Sequence, residues 1–316
     1  MKNILLLESV VEEAFQELKK HSQLFTAYQG ESLSEITEKN DIHAIITRGK
    51  GQVNKALMES CKELEVVARC GVGLDNVDVK EATTRQVKVI NAPGVNAATI
   101  AEHTLSLMLI LIRNLYPSVT QVKAGNWQWR NQYTGDELSG KTLGILGLGN
   151  IGKRVAKLAE AFGMQVIYWD KFVNHPDYPN LSLEEVLQRS DIVTIHVPLF
   201  EDTVGLLGKN ELSLMQPHAF LINTARGAII DQSALTEALQ TGKIAGFGAD
   251  VLADEPPDPN DPITSLPNTM ISPHVGSLTA TTYRNMCVLT VNNVLAVLEG
   301  KAVDPSCIFN RKELGL

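Results

Sequence analysis

Short apolar runs alternate with helix-like stretches through the first third of this 316-residue chain. Strands that alternate with helices in this way form parallel sheets covered by helices on both faces. We therefore predict a first α/β unit over residues 1–97. The apolar runs that indicate its buried strands are Ile4–Leu7, Ala44–Thr47 and Val66–Ala68.

The same alternation resumes at Lys141 and continues almost to the end of the chain. Ser182 and Glu185 have the spacing of a capping box, which indicates the start of a helix. A long closing helix is predicted over Leu278–Leu298, and it would return the chain to the first unit. The apolar runs that indicate strands in this part are Asp191–Val197, Ala219–Thr224, Ile244–Val251 and Thr269–Ser272.

A strongly apolar helix is predicted between these two regions. Thr99 and Glu102 have capping-box spacing, and the helix is expected to run to Asn114. Its apolar residues cover nearly the whole circumference, so we expect it to be buried between domains or subunits. The stretch that follows, up to residue 139, is predicted to be irregular and holds Trp127 and Trp129, which are expected to cover a partner or a neighbouring domain. These features predict a homodimer whose interface is built mainly on this helix and on the loop of Trp127 and Trp129.

Composition and charge exclude several kinds of partner. The balance of 28 basic and 36 acidic residues gives a net charge of −8, which argues against a nucleic-acid-binding surface. The four cysteines are scattered without a CxxC pair, which indicates a reducing compartment. The first apolar run ends at Glu8 and is too short for a signal peptide, while the stretch Leu105–Ile112 is too short to span a membrane. We therefore expect a cytoplasmic protein without a membrane partner and without a metal site.

One segment carries the strongest chemical signal. An apolar strand leads into the glycines Gly147, Gly149 and Gly152, and a helical stretch and a second strand follow, the latter ending on Asp170. This is the dinucleotide-binding fingerprint: the glycines allow a tight turn, a close approach of a pyrophosphate and close helix packing, and the helix amides favour an anion. A carboxylate at Asp170 would accept hydrogen bonds from the ribose and repel a 2′-phosphate, which favours NAD over NADP. The alternative is a glycine-rich turn in some other α/β domain.

Three polar residues follow predicted strands of the second region: Arg226, Glu255 and His274. Ligands of doubly wound sheets bind beyond the carboxyl ends of the strands. Hydride transfer to a 2-oxo acid needs a guanidinium for the carboxylate, an imidazole that gives up a proton, and a carboxylate that raises the pKa of this imidazole. Each residue also has a simpler explanation, because such histidines are often structural, Glu255 lies in a proline-rich loop and Arg-Gly pairs form turns. The spacing alone leaves both interpretations open.

The motifs of the chain resemble, in order, those of the D-isomer-specific 2-hydroxyacid dehydrogenase family. The resemblance covers essentially the whole chain, and its most specific segments are INTARG, DVLADEPP and SPHVG. It implies an NAD-dependent oxidoreductase in which Arg226 binds the substrate and is catalytic, His274 is the acid/base and Glu255 is its partner. The formate dehydrogenase branch usually has a glutamine where this chain has Glu255, which argues against that branch.

The resemblance also implies roles for the other site residues. His196–Pro198 would lie near the adenosine, and Thr224–Arg226 with Asp250 would line the nicotinamide side. In the first domain, the backbone amides of Val72 and Gly73 would receive the substrate carboxylate. The complete expected cofactor-binding set is Gly147, Gly149, Asn150, Ile151, Gly152, Asp170, His196, Pro198, Thr203, Thr224, Ala225, Asp250 and Gly276.

These inferences together predict an α/β protein with two doubly wound parallel-sheet domains and a cleft between them. Residues 98–285 would form a Rossmann NAD-binding domain. Residues 1–97 and 286–316 would form a flavodoxin-like substrate domain. Because the sequence ends at Leu316, the regulatory domains that some family members append are not expected, and neither is serine feedback through them.

Among small 2-hydroxy acids, the resemblance favours D-3-phosphoglycerate. Arg48 matches a phosphate-binding arginine of the phosphoglycerate dehydrogenases, Asn96 matches their substrate-side asparagine, and Lys50 adds positive charge nearby. Gly49 and Val95 depart from the usual pattern, which leaves open a glyoxylate or hydroxypyruvate reductase or another D-2-hydroxyacid dehydrogenase. A different class also remains, an NAD(H)-sensing binding protein of the corepressor type, since such proteins can retain the Arg–Glu–His set.

Overall fold

The chain folds into two compact α/β units in a computed structural model, which describes residues 1–30 and 32–316. The first unit comprises Met1–Asn96 and Leu278–Leu316, and the second unit comprises Ala97–Ser277. The expected domain boundary at residue 286 falls inside the last helix, Ala280–Leu298, which lies wholly in the first unit. The reason is packing, since apolar residues along this whole helix contribute to the core of the first unit.

The first unit is a five-stranded parallel sheet covered by helices. Its strands are β1 (Lys2–Leu6), β2 (Ser22–Thr26), β3 (Ala44–Thr47), β4 (Val66–Arg69) and β5 (Lys88–Ile90). Its helices are α1 (Glu12–His21), α2 (Leu33–Lys39), α3 (Lys55–Ser60), α4 (Val79–Thr84) and α11 (Ala280–Leu298). The strand order β2-β1-β3-β4-β5 is that of flavodoxin-like sheets, as predicted.

Continuous apolar runs form these strands because both faces of the sheet are buried. Successive side chains of a strand point to opposite faces. In β1, Ile4 and Leu6 therefore join the core on one face, together with residues of α11, whereas Leu5 joins the core on the other face. In β3, Ile45 and Ile46 divide in the same way.

The second unit is a six-stranded parallel sheet, also covered by helices. Its strands are β6 (Thr142–Leu146), β7 (Gln165–Trp169), β8 (Ile192–Ile195), β9 (Phe220–Asn223), β10 (Gly246–Ala249) and β11 (Thr269–Ile271). Its helices are α5 (Ala97–Ile112), α6 (Leu115–Lys123), α7 (Asn150–Ala161), α8 (Leu183–Arg189), α9 (Lys209–Leu214) and α10 (Gln232–Gln240). The strand order is β11-β10-β9-β8-β6-β7.

The strand order of the second unit reverses at β6, which pairs with β7 on one side and with β8 on the other. The loops after β6 and β8 therefore leave their strands at a topological switch point, where doubly wound sheets bind ligands. The predicted capping box at the start of α8 is confirmed, because Ser182 and Glu185 bond reciprocally to each other's backbone amides.

Two predictions about the segment that joins β5 to β6 in the sequence need correction. Helix α5 begins at Ala97, so Thr99 does not cap it, and its apolar residues are buried in the core of its own unit with β6, α7 and β9. The stretch expected to be irregular contains α6 and a 3₁₀ turn at Trp127–Gln132. Pro117 concealed α6 in the sequence, but it occupies the first helical turn, where its missing N–H costs nothing.

Among the described residues, no single helix is long and apolar enough to cross a membrane. The consecutive helices α5 and α6 pass the same test of length and composition only when they are taken together, and they are bent by 63° at the break between them.

Candidate active site

The glycine loop joins β6 to α7 at the switch point of the second unit. Gly147 has φ +97°, and a Cβ atom there would lie 2.7 Å from the amide nitrogen of Val197. A Cβ on Gly152 would lie 2.2 Å from the carbonyl oxygen of Gly147, so the start of the helix packs directly on the turn. A Cβ on Gly149 would meet nothing within 4 Å, which leaves open space in front of the helix that begins at Asn150. An anion fits this space, since the first amides of a helix carry partial positive charge.

Asp170 follows β7 and ties two loops together through its carboxylate. One oxygen, Oδ2, accepts a hydrogen bond of 2.8 Å from the amide of Leu148 in the glycine loop. The other, Oδ1, accepts from the amides of Phe172 at 2.8 Å and Val173 at 2.9 Å. A carboxylate has about four acceptor sites, so Asp170 keeps acceptor capacity while its position relative to the glycine loop is fixed.

The loop after β8 holds the residues expected near the adenosine. Desolvation lowers the pKa of His196 to about 3, so its imidazole is neutral at physiological pH. The Thr203 hydroxyl donates to the carbonyl oxygen of Pro198 at 2.7 Å and accepts from the amide of Phe200 at 2.7 Å. The buried side chain of Thr203 thus links two backbone groups of this loop.

His274 and Glu255 form a direct pair beyond β10 and β11. The distance between His274 Nδ1 and Glu255 Oε2 is 2.7 Å, and Glu255 Oε1 accepts a hydrogen bond from the amide of Leu252 at 3.2 Å. The hydrogen bond to Glu255 raises the pKa of His274 above its ordinary value, against the effect of burial. Partial burial opposes ionisation of Glu255, but the hydrogen bond and the charge of His274 lower its pKa.

Arg226 lies in the loop after β9, and Asn223 shapes this loop. Asn223, which is fully buried, donates its amide to the carbonyl oxygen of Arg226 at 2.8 Å and accepts from the amide of Ala225 at 3.0 Å. The next residue in the chain, Thr224, shares a hydrogen bond of 2.9 Å with the hydroxyl of Thr104 on α5. The positive charge of Arg226 acts on both His274 and Glu255. The loop thus presents a guanidinium at the same sheet edge as the acid–base pair.

Asp250 ends β10 and holds the loop that carries His274. Its carboxylate, only 2% exposed, accepts hydrogen bonds from the amides of Val275 at 2.9 Å and Gly276 at 2.7 Å. The Ser272 hydroxyl donates to the same carboxylate at 2.6 Å. These contacts hold the backbone of His274 at φ +54°, a conformation that residues other than glycine rarely adopt.

In the first unit, Arg48 lies in the loop after β3 and is partly exposed. Its Nη1 donates to the hydroxyl of Tyr283 on α11 at 3.1 Å, and its guanidinium carbon lies 5.3 Å from the centre of that ring. Glu8 lies beneath this loop. One oxygen of Glu8 accepts hydrogen bonds of 2.7–3.2 Å from four consecutive backbone amides, those of residues 48–51. Burial works against its ionisation, but these four bonds lower the pKa of Glu8 to about 2.

Val72 and Gly73 lie in the loop after β4 with their carbonyl groups engaged. The side chain of Asn91 donates to the carbonyl oxygen of Val72 at 2.7 Å, and the guanidinium of Arg69 donates to that of Gly73. Within the described ranges, no protein group accepts a hydrogen bond from the amide of Val72 or of Gly73. These two amides are therefore available to an anion. Asn96 is the last residue of the first segment of that unit.

The structure also identifies supporting residues that sequence reasoning missed. Glu8 follows β1, so the rule that led to Arg226 and His274, a polar residue just beyond a strand, could have found it. Ser272 follows β11 and was open to the same rule. Tyr283 lies on α11 and contacts Arg48 across 235 positions of sequence, and no local signal indicates that contact.

Comparison with known proteins agrees with this geometry. Residues 105–276 match the model of the D-isomer specific 2-hydroxyacid dehydrogenase, NAD binding domain. A D-3-phosphoglycerate dehydrogenase of Archaeoglobus fulgidus is 35% identical over 306 residues, covering 95% of this chain and 58% of that protein. A glyoxylate reductase of Aeropyrum pernix is 38% identical over 292 residues, covering 89% of this chain and 85% of that protein. A crystal structure of a Thermus thermophilus protein superimposes with a TM-score of 0.88 at 36% identity, covering 95% of this chain and 97% of that chain.

The chain belongs to the D-isomer-specific 2-hydroxyacid dehydrogenase family, and its second unit contains the NAD-binding domain of that family. It spans 58% and 59% of the lengths of the two phosphoglycerate dehydrogenases from Archaeoglobus fulgidus and Methanocaldococcus jannaschii.

Proposed function

We propose that this protein is an NAD-dependent oxidoreductase that interconverts a D-2-hydroxy acid and its 2-oxo acid. The observation that carries the proposal is the 2.7 Å contact between His274 and Glu255, beyond the sheet edge that also presents Arg226 and the glycine loop. Bound NADH supplies the hydride for reduction of the 2-oxo acid. The protein then has to bind the carboxylate, polarise the carbonyl group and deliver one proton.

The pair of His274 and Glu255 suits the proton transfer. Nδ1 of His274 faces Glu255, so Nε2 is the atom that gives its proton to the carbonyl oxygen during reduction. In the direction of oxidation, the same nitrogen accepts the proton from the hydroxyl group. The raised pKa of His274 keeps a larger fraction of the imidazole protonated near neutral pH, which favours reduction. Arg226 polarises the carbonyl group and holds the carboxylate.

We propose that NAD is held by the second unit and that Asp170 selects it over NADP. The pyrophosphate would lie in the open space at Gly149, and Asp170 would use its remaining acceptor capacity for the ribose hydroxyls. The residues that we propose to contact the cofactor are Gly147, Gly149, Asn150, Ile151, Gly152, Asp170, His196, Pro198, Thr203, Thr224, Ala225, Asp250 and Gly276.

For the substrate, we propose D-3-phosphoglycerate and its oxidation product. The backbone amides of Val72 and Gly73 would receive the carboxylate, and Asn96 would contribute on the substrate side. The Arg48 side chain is 36% exposed and its position is set by Tyr283, so it can pair with a phosphate, while Lys50 adds positive charge to the same loop.

A second candidate is reduction of glyoxylate or hydroxypyruvate, and Glu8 favours it. The four amides of residues 48–51 would form an anion-binding nest, but the carboxylate of Glu8 already occupies it. The other oxygen of Glu8 lies 3.8 Å from Nε of Arg48 and neutralises part of its charge. A substrate without a phosphate would avoid repulsion by Glu8.

Oxidation of NADH with a panel of 2-oxo acids distinguishes these candidates. We expect 3-phosphohydroxypyruvate to give the highest kcat/KM, and we expect Arg48→Gln to reduce this value much more than the value for hydroxypyruvate. If glyoxylate or hydroxypyruvate is preferred and Arg48→Gln affects all substrates alike, the second candidate replaces the first. If no 2-oxo acid is reduced while NADH binds, the protein is a nucleotide-binding protein of the corepressor type.

We also propose that the protein forms a homodimer through α6 and the adjoining 3₁₀ turn. Large apolar side chains are exposed there, with Trp127 64% exposed and Tyr116, Val119 and Val122 more than half exposed. A patch of this kind marks an interaction surface. Light scattering is expected to give the mass of a dimer, and the double variant Val119→Lys/Val122→Lys is expected to give a monomer. A wild-type monomer at micromolar concentration would contradict the proposal.

A further inference from the structure

A chain of hydrogen bonds connects helix α5 to the loop that carries His274. The distance between His103 Nε2 on α5 and the hydroxyl oxygen of Ser272 is 2.9 Å. This hydroxyl lies 2.6 Å from Asp250 Oδ1, and the Asp250 carboxylate accepts the amides of Val275 and Gly276. The chain thus ends on the two residues that directly follow His274.

The direction of every hydrogen bond in this chain is determined. Asp250 accepts two backbone amides, so its carboxylate acts as an acceptor, and the Ser272 hydroxyl must donate to it. The lone pairs of that oxygen are then free to accept, so His103 donates from Nε2–H. An imidazole with its proton on Nε2, a serine and an aspartate therefore form one directed chain.

The chain of hydrogen bonds fixes the orientation of the Asp250 carboxylate. Asp250 is almost fully buried, and the carbonyl oxygen of Asp250 also accepts the amide of His274 at 2.9 Å. The backbone of His274 is held at φ +54°, which is costly unless its surroundings enforce it. A Cβ atom on Gly276 would lie 2.8 Å from Asp250 Oδ2 and 3.3 Å from His103 Cδ2, so the loop lies tightly against both side chains.

We propose that His103 is a positioning residue for His274, acting through Ser272 and Asp250. It does not exchange a proton with the substrate. It holds the Asp250 carboxylate in the orientation that fixes the loop of residues 274–276 and, with it, the imidazole of His274. This inference rests on the proposed role of His274 in the oxidoreductase reaction.

Four variants test the proposal. His103→Leu removes the donor, and Ser272→Ala interrupts the chain at its middle. His103→Gln restores an N–H donor close to the position of Nε2. The matched control is His218→Leu, because His218 contacts Asp191 at 2.8 Å before β8, apart from this chain of hydrogen bonds.

The first measurement is turnover of the best 2-oxo acid of the panel with NADH. His103→Leu and Ser272→Ala are expected to lower kcat roughly tenfold or more, since small displacements of a catalytic group are costly. The dissociation constant of NADH, measured by fluorescence, is expected to rise by a smaller factor than kcat falls, because the glycine loop and Asp170 are unchanged even though Asp250 and Gly276 are proposed to contact the cofactor. His103→Gln is expected to recover most of the lost kcat, and His218→Leu to match wild type. A merely structural role of His103 would not give this split or this recovery.

The second measurement does not depend on activity. Hydrogen exchange of the amides of Val275 and Gly276 is expected to be at least about tenfold faster in His103→Leu and Ser272→Ala than in wild type. In His103→Gln it is expected to be close to wild type. Thermal unfolding checks that each variant is folded.

Three results would overturn the inference. Unchanged exchange at Val275 and Gly276 in His103→Leu would show that His103 does not hold the loop, even if the enzyme needs His274. Unchanged kcat in that variant would show that holding the loop does not matter for turnover. A loss of turnover in His103→Gln as large as in His103→Leu would point to His103 as a proton donor itself. If His274→Ala is as active as wild type, the proposed function fails instead.

Discussion

Two loops of this protein are each held by a carboxylate that accepts several backbone amides, and they differ in what they present. Asp250 holds the loop of residues 274–276, and the imidazole that this loop presents is already paired with Glu255. Glu8 holds the loop of residues 48–51, and the guanidinium that this loop presents is placed by the hydroxyl and ring of Tyr283.

The two loops separate the residue proposed for proton transfer, His274, from the residue proposed for substrate selection, Arg48. At His274, the partner, its distance and the supporting carboxylate are all set within the second unit, so the proposed proton transfer does not depend on which 2-hydroxy acid is bound. At Arg48, the proposed recognition of the substrate would depend on one partly exposed side chain and on a carboxylate that neutralises part of its charge.

Removing the imidazole should have the largest effect. His274→Ala is expected to lower kcat for reduction by about 10²–10⁴-fold, because it removes a positioned acid. NADH binding, followed by fluorescence, should be nearly unchanged, since the glycine loop and Asp170 remain. Turnover close to wild type would refute the role of His274 as the acid in the reduction.

The second-largest effect is expected on the preference between NADH and NADPH when Asp170 is replaced. Wild type is expected to prefer NADH over NADPH by more than about tenfold in kcat/KM. The reason is that the carboxylate of Asp170 would repel the 2′-phosphate of NADPH, which has the same sign of charge. Asp170→Ala should narrow the gap, mainly by weakening NADH. The effect on NADH includes loosening of the glycine loop, since Asp170 also accepts the amide of Leu148. Equal efficiency of wild type with both cofactors would contradict this role of Asp170.

Glu8→Gln tests the loop of the first unit. It should lower the free energy of unfolding at pH 7 by about 1–2 kcal/mol, allowing for solvent screening of this partly exposed carboxylate. Because the loop that carries Arg48 loosens, KM for the 2-oxo acid should rise more than kcat falls, despite the loss of the repulsion between Glu8 and a substrate phosphate. Because binding to four amides lowers the pKa of Glu8 from 4.5 to about 2, its contribution to stability is complete above pH 4.5 and is lost as the pH falls towards 2.

Urea unfolding of both proteins between pH 7 and pH 2 measures this contribution. The difference between wild type and Glu8→Gln should shrink as the pH falls. A difference that is independent of pH would show that the carboxylate charge does not hold the loop.

Glu255→Gln should have the smallest effect. It keeps a side chain of the same shape beside His274 but removes the charge, so the pKa of His274 should fall towards its ordinary value. Reduction needs the protonated imidazole, and the activity of the variant should therefore be lost at a lower pH than that of wild type. Glu237→Gln, at an exposed ion pair with Lys209, is a suitable control. Identical pH profiles would mean that Glu255 does not set the protonation of His274.

Most of the fold could be predicted because it depends on local patterns. Buried parallel strands such as β3 and β8 are continuous apolar runs, and the glycine loop needs its three glycines within six positions. The edge strand β2, with the sequence SQLFT, escaped prediction because it is only partly buried. Helix α6 was concealed by Pro117.

The candidate site could be predicted only in part, for a related reason. Residues beyond strand ends can be read from the sequence, and Arg226, Glu255 and His274 were found in this way. The groups that hold them are distant in the chain: Glu8 contacts a loop 40 residues away, and His103 contacts Ser272 across 169 positions. Only the folded chain reveals such contacts.

The most direct test of the account is hydride transfer itself. Wild-type protein would be incubated with NADH carrying deuterium at both C4 positions of the nicotinamide and with the best 2-oxo acid of the panel other than glyoxylate, with His274→Ala in parallel. We expect a D-configured 2-hydroxy acid with deuterium at C2 from wild type, and a much slower formation of the same product from the variant. An L-configured product, no deuterium at C2, or equal rates for the two proteins would contradict the account.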